Sequence, residues 1–308
     1  MKILYVANHN QPTGNDDEGA ISHALEKLGH TVIPLTERRG EKAVKVAPTC
    51  DLLLFHKWEH TEWLSKISIP KVFWYFDLVN YPDPALSSRN GTRINWMRKT
   101  TNLVNIGFCT DGDWVNQDQT GKLVRLTQGA DERKIGFGNP YDVPSSLASS
   151  APILFTGICN GGGTGRIDFV DELKAKYGAQ FSHIAKGVHG KELANLIASK
   201  AIIVAPDSPI TDNYWSNRVY LTLGFGGFLL HPYCRTLVNQ YANNKHIVYY
   251  SSRDDLHDLI TYFLEHPDLR KDIQVQALAH TTSHHTYYHR CRILIDTVNQ
   301  RIFNGKDI

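Results

Sequence analysis

Hydrophobic positions in this chain fall into short continuous runs, separated by stretches in which apolar residues recur at three- and four-residue spacing. MKILYVA opens the chain as such a run. NDDEGAISHALEKLGHTV then has helical spacing, with Asn15 as the expected N-cap and Gly29 as the stop, and Thr31 to Leu35 returns to a strand. The alternation continues with strands expected at Asp51 to Phe55, Lys71 to Phe76, Asn105 to Cys109 and Lys122 to Thr127. Runs that are apolar throughout suit strands buried on both faces, so the pattern predicts an α/β fold with parallel sheets covered by helices.

The pattern lapses in DERKIGFGNPYDVPSSLASS, where glycine, proline and serine accumulate, and then resumes. Strands are expected at Pro152 to Gly157, Phe181 to Ala185, Ala201 to Ala205, Phe228 to Leu230 and His246 to Tyr250. Helices are expected at Ile167 to Tyr177, Lys191 to Ser199, Asp254 to Glu265, Leu269 to His280 and Tyr287 to Phe303. The expected organisation is a Rossmann-like domain over residues 1–140, a linker over 141–151, a second Rossmann-like domain over 152–285, and a C-terminal helix and tail over 286–308. Doubly wound domains bind ligands at the carboxyl ends of their strands, so function is sought in the loops that follow strands.

One stretch, DNYWSNRVYLTLGFGGFLLHPY, joins a polar helix start to a buried strand. Ser216, Asn217 and Arg218 stand where the helix begins, and Gly224, Gly226 and Gly227 stop it. A helix start presents free backbone N–H groups to an anion, and Arg218 adds a planar cationic fork suited to phosphate. The bland alternative is an N-cap beside a surface arginine.

Composition narrows the class without naming a function. The 308 residues suffice for two cores, and a formal charge of +2 does not imply wholesale wrapping of nucleic acid. Five widely spaced cysteines without a C-x-x-C pair argue against a disulfide framework or zinc site and for a reducing, cytoplasmic setting. The opening run is too short for a membrane span and lacks the flanks of a signal peptide.

SNRVYLTLGFGGFLLHPYCRTLVNQY, HIVYYSSRDDLHDLITYFLEHPDLRKDI and HTYYHRCRIL, in that order and spacing, resemble the C-terminal domain of GT-B glycosyltransferases of the CgeB-like group. The likeness runs from about Pro152 to Asp296. In the first half it is confined to the β-α-β layout and LTQGADERKIGF, which is similar to the hinge-proximal G-x-D segment. The resemblance implies two Rossmann-like domains facing a cleft. It implies transfer of a sugar from a nucleotide donor, expected to be a UDP-sugar, held by the second domain to an acceptor held by the first, with no separate cofactor. It also exposes a departure. Where the family places a glutamate on the donor ribose, this chain has Leu221, which implies either a different hold on the donor or a catalytically silent homologue that binds nucleotide-sugar.

The candidate donor residues are Gly157 and Arg166, flanking the loop GICNGGGTG, with Lys186 in AKGVHG, Ser216, Asn217 and Arg218. The glycine loop either admits a diphosphate to its amides or is only a flexible turn, and Lys186 is a donor contact or a solvated cation. On the acceptor side, Asp77 ends KVFWYFD; bulky neighbours packed around its carboxylate would raise its pKa and suit a general base, whereas the alternative is a turn cap. Asn8, His9 and Asn10 follow the first strand, with His56 and Lys57 as weaker companions after the third.

SSRNGTRINWMRK carries Arg89, Arg93, Arg98 and Lys99 around Trp96, a pattern that grips phosphates and stacks on a base, or else forms a solvated helix face. Some phage enzymes of GT-B type glycosylate hydroxymethylated pyrimidines in DNA, which makes DNA one candidate acceptor; saccharides and small molecules are the other. No metal is expected: Asp111 and Asp113 read as a helix cap, and His284, His285 and His289 lack a carboxylate or cysteine at ligand spacing.

Overall fold

A computed structural model describes residues 1–9, 17–36, 40–56, 61–81, 90–138, 151–159, 166–206 and 209–303. Asn10, Asn15, Lys57, Arg89 and nearly all of the expected linker lie outside the described residues. The chain forms two compact units: unit 1 comprises residues 1–128 and 287–308, and unit 2 residues 129–286.

In unit 1, β1 (Lys2–Ala7), β2 (Thr31–Thr36), β3 (Leu52–Phe55), β4 (Lys71–Tyr75), β5 (Ile106–Cys109) and β6 (Leu123–Arg125) form a parallel sheet in the order β2-β1-β3-β4-β5-β6. Successive side chains alternate between its faces. Ile3, Tyr5, Ala7 and Trp74 therefore pack with α1 (Asp17–Lys27), while Leu4, Val6, Phe73 and Tyr75 pack with α3 (Asn90–Leu103). Both faces are buried, which explains why the strands read as unbroken apolar runs.

The final helix, α10 (Tyr287–Arg301), returns to unit 1 rather than standing apart: Tyr287, Cys291, Leu294, Ile295 and Val298 complete the core beside α1. Arg290, buried, anchors this return through Nε to the Gln128 carbonyl at 2.9 Å.

Unit 2 contains β7 (Ile153–Thr156), β8 (Phe181–Ile184), β9 (Ile202–Val204), β10 (Leu229–Pro232) and β11 (Val248–Tyr250), parallel in the order β11-β10-β9-β7-β8. α5 (Arg166–Tyr177) and α8 (Arg253–Glu265) cover one face; α6 (Gly190–Ser199), α7 (Arg218–Gly224) and α9 (Pro267–His284) cover the other. Residues 129–138, expected with the first domain, belong to unit 2: Ala130 lies in its core, and a Cβ on Gly138 would come 2.8 Å from the Ala198 Cβ.

α7 ends as its glycines require. Gly226 has φ +76°, and a Cβ on Gly227 would lie 2.6 Å from the Ile197 Cγ2, so a side chain there would block the turn into β10. No helix among the described residues is long and apolar enough to cross a membrane.

His231 in β10 is 2% exposed and its Nδ1–H donates to the Pro232 carbonyl at 2.7 Å. Burial holds its pKa down at about 4, against an ordinary 6.5. The folded state thus keeps this ring neutral while the unfolded chain takes up a proton, so stability is complete above pH 6.5 and declines as pH falls towards 4. At pH 5 the loss from this ring alone is about 2 kcal/mol. Burial acts in the same direction on His246 and His280. Urea unfolding at pH 7.5 and pH 5 should show unit 2 weakened at the lower value, and His231→Asn should reduce the difference.

Candidate functional site

The carboxyl end of β7 brings together two cations of unit 2, Arg166 and Arg218. Gly157 follows the strand with φ +145°, and a Cβ there would stand 2.5 Å from the Arg218 Nη2, so only glycine lets the guanidinium lie against this backbone. Arg218 donates through Nε to the Thr156 carbonyl at 3.0 Å and through Nη1 to the Ser216 Oγ at 3.3 Å, with its Cζ 5.0 Å from the Phe155 ring centroid. It is therefore drawn inward, not spread on the surface.

Ser216 and Asn217 precede α7, but neither side chain caps it: Asn217 is the N-cap residue in helical conformation, and Ser216 is spent on Arg218. Burial first, and then the neighbouring Arg166 cation, pull Arg218 down to about 9, so it remains charged at neutral pH. Among the described residues no carboxylate pairs with it. An anion placed here would meet a desolvated guanidinium with little competing charge.

Arg166 begins α5 and reaches the same edge, with Nη1 3.3 Å from the Ile158 carbonyl. Gly157, Arg166, Ser216, Asn217 and Arg218 are thus brought together. Lys186, after the adjacent strand β8, is exposed on the same edge. Leu221 faces the core of unit 2 and packs with its apolar cluster.

Two features escaped the sequence reading. A pocket of about 310 Å³ opens beyond β10 and β11, lined by Pro232, Tyr233, Tyr250, Ser251, Ser252 and Arg253. His183 of β8 also lies against Gly157; the signal available in the sequence was its place near a strand end, next to the strand that precedes a glycine-rich loop.

At the carboxyl edge of unit 1, the neighbouring strands β1, β3 and β4 bring forward Asn8 and His9, His56, and Asp77 respectively. His9 places Nε2 3.0 Å from the Tyr5 carbonyl, which requires the N–H there and leaves Nδ1 as the basic nitrogen of the neutral ring. His56 is buried against Phe76 at 4.4 Å and Tyr5 at 5.3 Å.

Asp77 is exposed. Among the described aromatic neighbours expected to cover it, Phe73 and Tyr75 point into one core and Trp74 into the other.

α3 does not assemble a base-stacking patch. Trp96 is 9% exposed and packs against Phe73 and Tyr75 at 5.9 and 5.6 Å, so its ring is spent in the core. Arg93 lies over the Tyr81 ring at 4.6 Å, whereas Arg98 lines a separate pocket of about 400 Å³ with Trp114, Gln117 and Asn102.

Asp111, after β5, accepts from the Trp114 N–H at 3.1 Å and the Val79 N–H at 2.9 Å, and so caps α4 (Gly112–Val115). His285 closes α9 while His289 belongs to α10, so the two do not share a helix face. Among the described residues, no group of three or more His, Cys, Asp or Glu side chains is placed to hold a metal ion.

The whole chain superposes on solved glycosyltransferases. A Rickettsia africae glycosyltransferase matches with TM-score 0.65 at 12% identity, covering 98% of this chain and 99% of that one. An α-glucosyltransferase in complex with UDP and a 13-mer DNA containing an HMU base matches with TM-score 0.69 at 10% identity, covering 97% and 99%. Anabaena Alr3699/HepE in complex with UDP-glucose matches with TM-score 0.63 at 12% identity, covering 97% and 100%. Residues 166–296 match the family described as glycosyl transferase-like. The chain has the two-sheet α/β fold of GT-B glycosyltransferases. A comparison with curated proteins returns no match. The family match starts at Arg166 and runs through Arg218, so both arginines of the β7 edge lie within it.

Proposed function

We propose that this protein is a glycosyltransferase that moves a sugar from a UDP-sugar to a hydroxyl acceptor without a metal ion. The observation that carries the donor half is Arg218, a desolvated cation without a carboxylate partner among the described residues, held against Gly157 beside Arg166. Gly157, Arg166 and Arg218 hold the diphosphate, with Ser216, Asn217 and Lys186 around it. UDP is the nucleotide in the complexes of two structural neighbours. Fixed cations of this kind can take up the charge of the departing diphosphate, a task that a metal performs elsewhere.

Asp77 serves as the base in unit 1. Its carboxylate takes the proton of the acceptor hydroxyl, the acceptor oxygen attacks the anomeric carbon, and the bond to the diphosphate breaks with its electron pair leaving on UDP. Direct displacement of this kind inverts the anomeric centre. His9 is the competing base, favoured by its free Nδ1. Asn8, His9 and Asn10 meet the acceptor, and Arg93 and Arg98 supply positive charge on α3.

The acceptor we favour is a hydroxymethylated pyrimidine in DNA. That reading draws on the cations of α3 and on the neighbour bound to HMU-containing DNA. Incubating the protein with hydroxymethylated DNA, simple saccharides and a panel of nucleotide sugars, followed by mass spectrometry, should show a hexose mass gain on the DNA. No gain on DNA with any donor would remove it as the acceptor.

Leu221, half-buried against the apolar cluster of unit 2 where the resemblance expects a ribose-binding glutamate, supports a second reading: a homologue that binds nucleotide-sugar without turnover. UDP binding with no donor consumed in any arm would favour it.

A further inference from the structure

We propose that His183 is a positioning residue that aims a backbone amide at the donor diphosphate; the proposal rests on reading the β7 edge as the donor site. His183 and Phe155 are register partners on adjacent parallel strands, so their side chains emerge on the same face of the sheet. The rings stack at 5.4 Å with 11° between their planes. This fixes the imidazole, and its Nε2 lies 2.8 Å from the Gly157 carbonyl and 3.2 Å from the Cys159 Sγ. The carbonyl can only accept, so Nε2 carries the hydrogen.

Holding that carbonyl determines where the next amide points. A trans peptide is planar, with its C=O and N–H directed oppositely, so a Gly157 carbonyl turned towards His183 sends the Ile158 N–H away from His183. That N–H makes no hydrogen bond among the described residues. It belongs to an exposed residue beside both arginines: Arg166 bonds the Ile158 carbonyl, and Arg218 lies against Gly157. Phe155 supports both sides of the arrangement, stacking with His183 and lying under the Arg218 guanidinium. One unspent N–H and two guanidiniums thus share the edge, a set of donors suited to a diphosphate.

His183 touches no substrate in this scheme and acts only through the Gly157–Ile158 peptide. The test compares His183→Ala with His183→Gln, whose side-chain N–H can replace the one on Nε2. Affinity for UDP is read by titration calorimetry and affinity for uridine by ligand-observed NMR. His183→Ala should weaken UDP about 10-fold, the effect of one charge-assisted hydrogen bond, while leaving uridine within about twofold, because only the phosphates meet the aimed amide. His183→Gln should recover most of the UDP affinity. In turnover, His183→Ala should raise the donor KM and lower kcat, since the amide also serves the leaving group.

Unchanged UDP affinity in His183→Ala overturns the proposal. So does equal weakening of UDP and uridine, which would mean general disturbance of the unit, and so does failure of His183→Gln to recover binding when its melting temperature matches wild type. Wild-type protein that binds no UDP would instead sink the donor reading, and this inference with it.

Discussion

Arg218→Ala should weaken UDP binding by at least about 100-fold, the consequence of removing two charge-assisted hydrogen bonds to phosphate at roughly 1.5 kcal/mol or more each. The guanidinium is placed without freedom to search: Thr156 and Ser216 hold two of its nitrogens, and Gly157 leaves it the space it occupies. Arg218→Lys keeps a positive charge but loses the planar fork, so its affinity should fall between wild type and alanine. Turnover should fall as well, because stabilising the departing diphosphate is worth more in the transition state than in the bound ground state. Titration with UDP and initial rates at saturating acceptor provide the check. Affinity within threefold of wild type in Arg218→Ala would place the donor elsewhere.

Asp77→Asn should lower kcat by about 10² to 10⁴ with donor affinity unchanged, the range expected for loss of a general base. The amide keeps the size and position of the carboxylate at the end of β4 but cannot accept the proton. His9→Gln provides the contrast. If the proton goes to Asp77, this variant loses only acceptor contacts and raises the acceptor KM; if it goes to His9, the loss in kcat moves to that variant and Asp77→Asn turns over near normally. NMR of the product anomer then distinguishes direct displacement, which inverts, from a double displacement.

Much of the fold was legible in the sequence because both sheets are buried on two sides. LLLF and ILFT lie in strands covered by helices on each face, so nothing in them alternates and their helical neighbours stand out by contrast. The α7 turn was legible in part for a local reason: Gly226 takes φ +76°, a conformation its own backbone permits.

What could not be read were contacts made across the chain. Arg218 is drawn inward by a carbonyl on another strand and by the missing Cβ of Gly157, neither of which leaves a mark near residue 218. Asp77 misled for a related reason. Its aromatic neighbours Phe73, Trp74 and Tyr75 alternate between the two faces of β4 while Asp77 itself is exposed, so sequence adjacency implied a common cover that the pleat divides. Trp96 read as an exposed ring among cations, yet α3 presents it inward with Met97, and three-dimensional packing decided the matter. The return of α10 to unit 1 likewise depends on a core completed only by residues 287 onward.

That return has a consequence for the order of events at the ribosome. Unit 2 emerges as one uninterrupted segment and has all its own described strands and helices by residue 286, whereas unit 1, begun before it, lacks Tyr287, Cys291, Leu294, Ile295 and Val298 until unit 2 has been made. Vectorial synthesis usually lets the N-terminal domain mature first. Here α1 and β1 precede unit 2 in the chain yet share their core with α10, which follows it, so that core cannot be completed until unit 2 has been made.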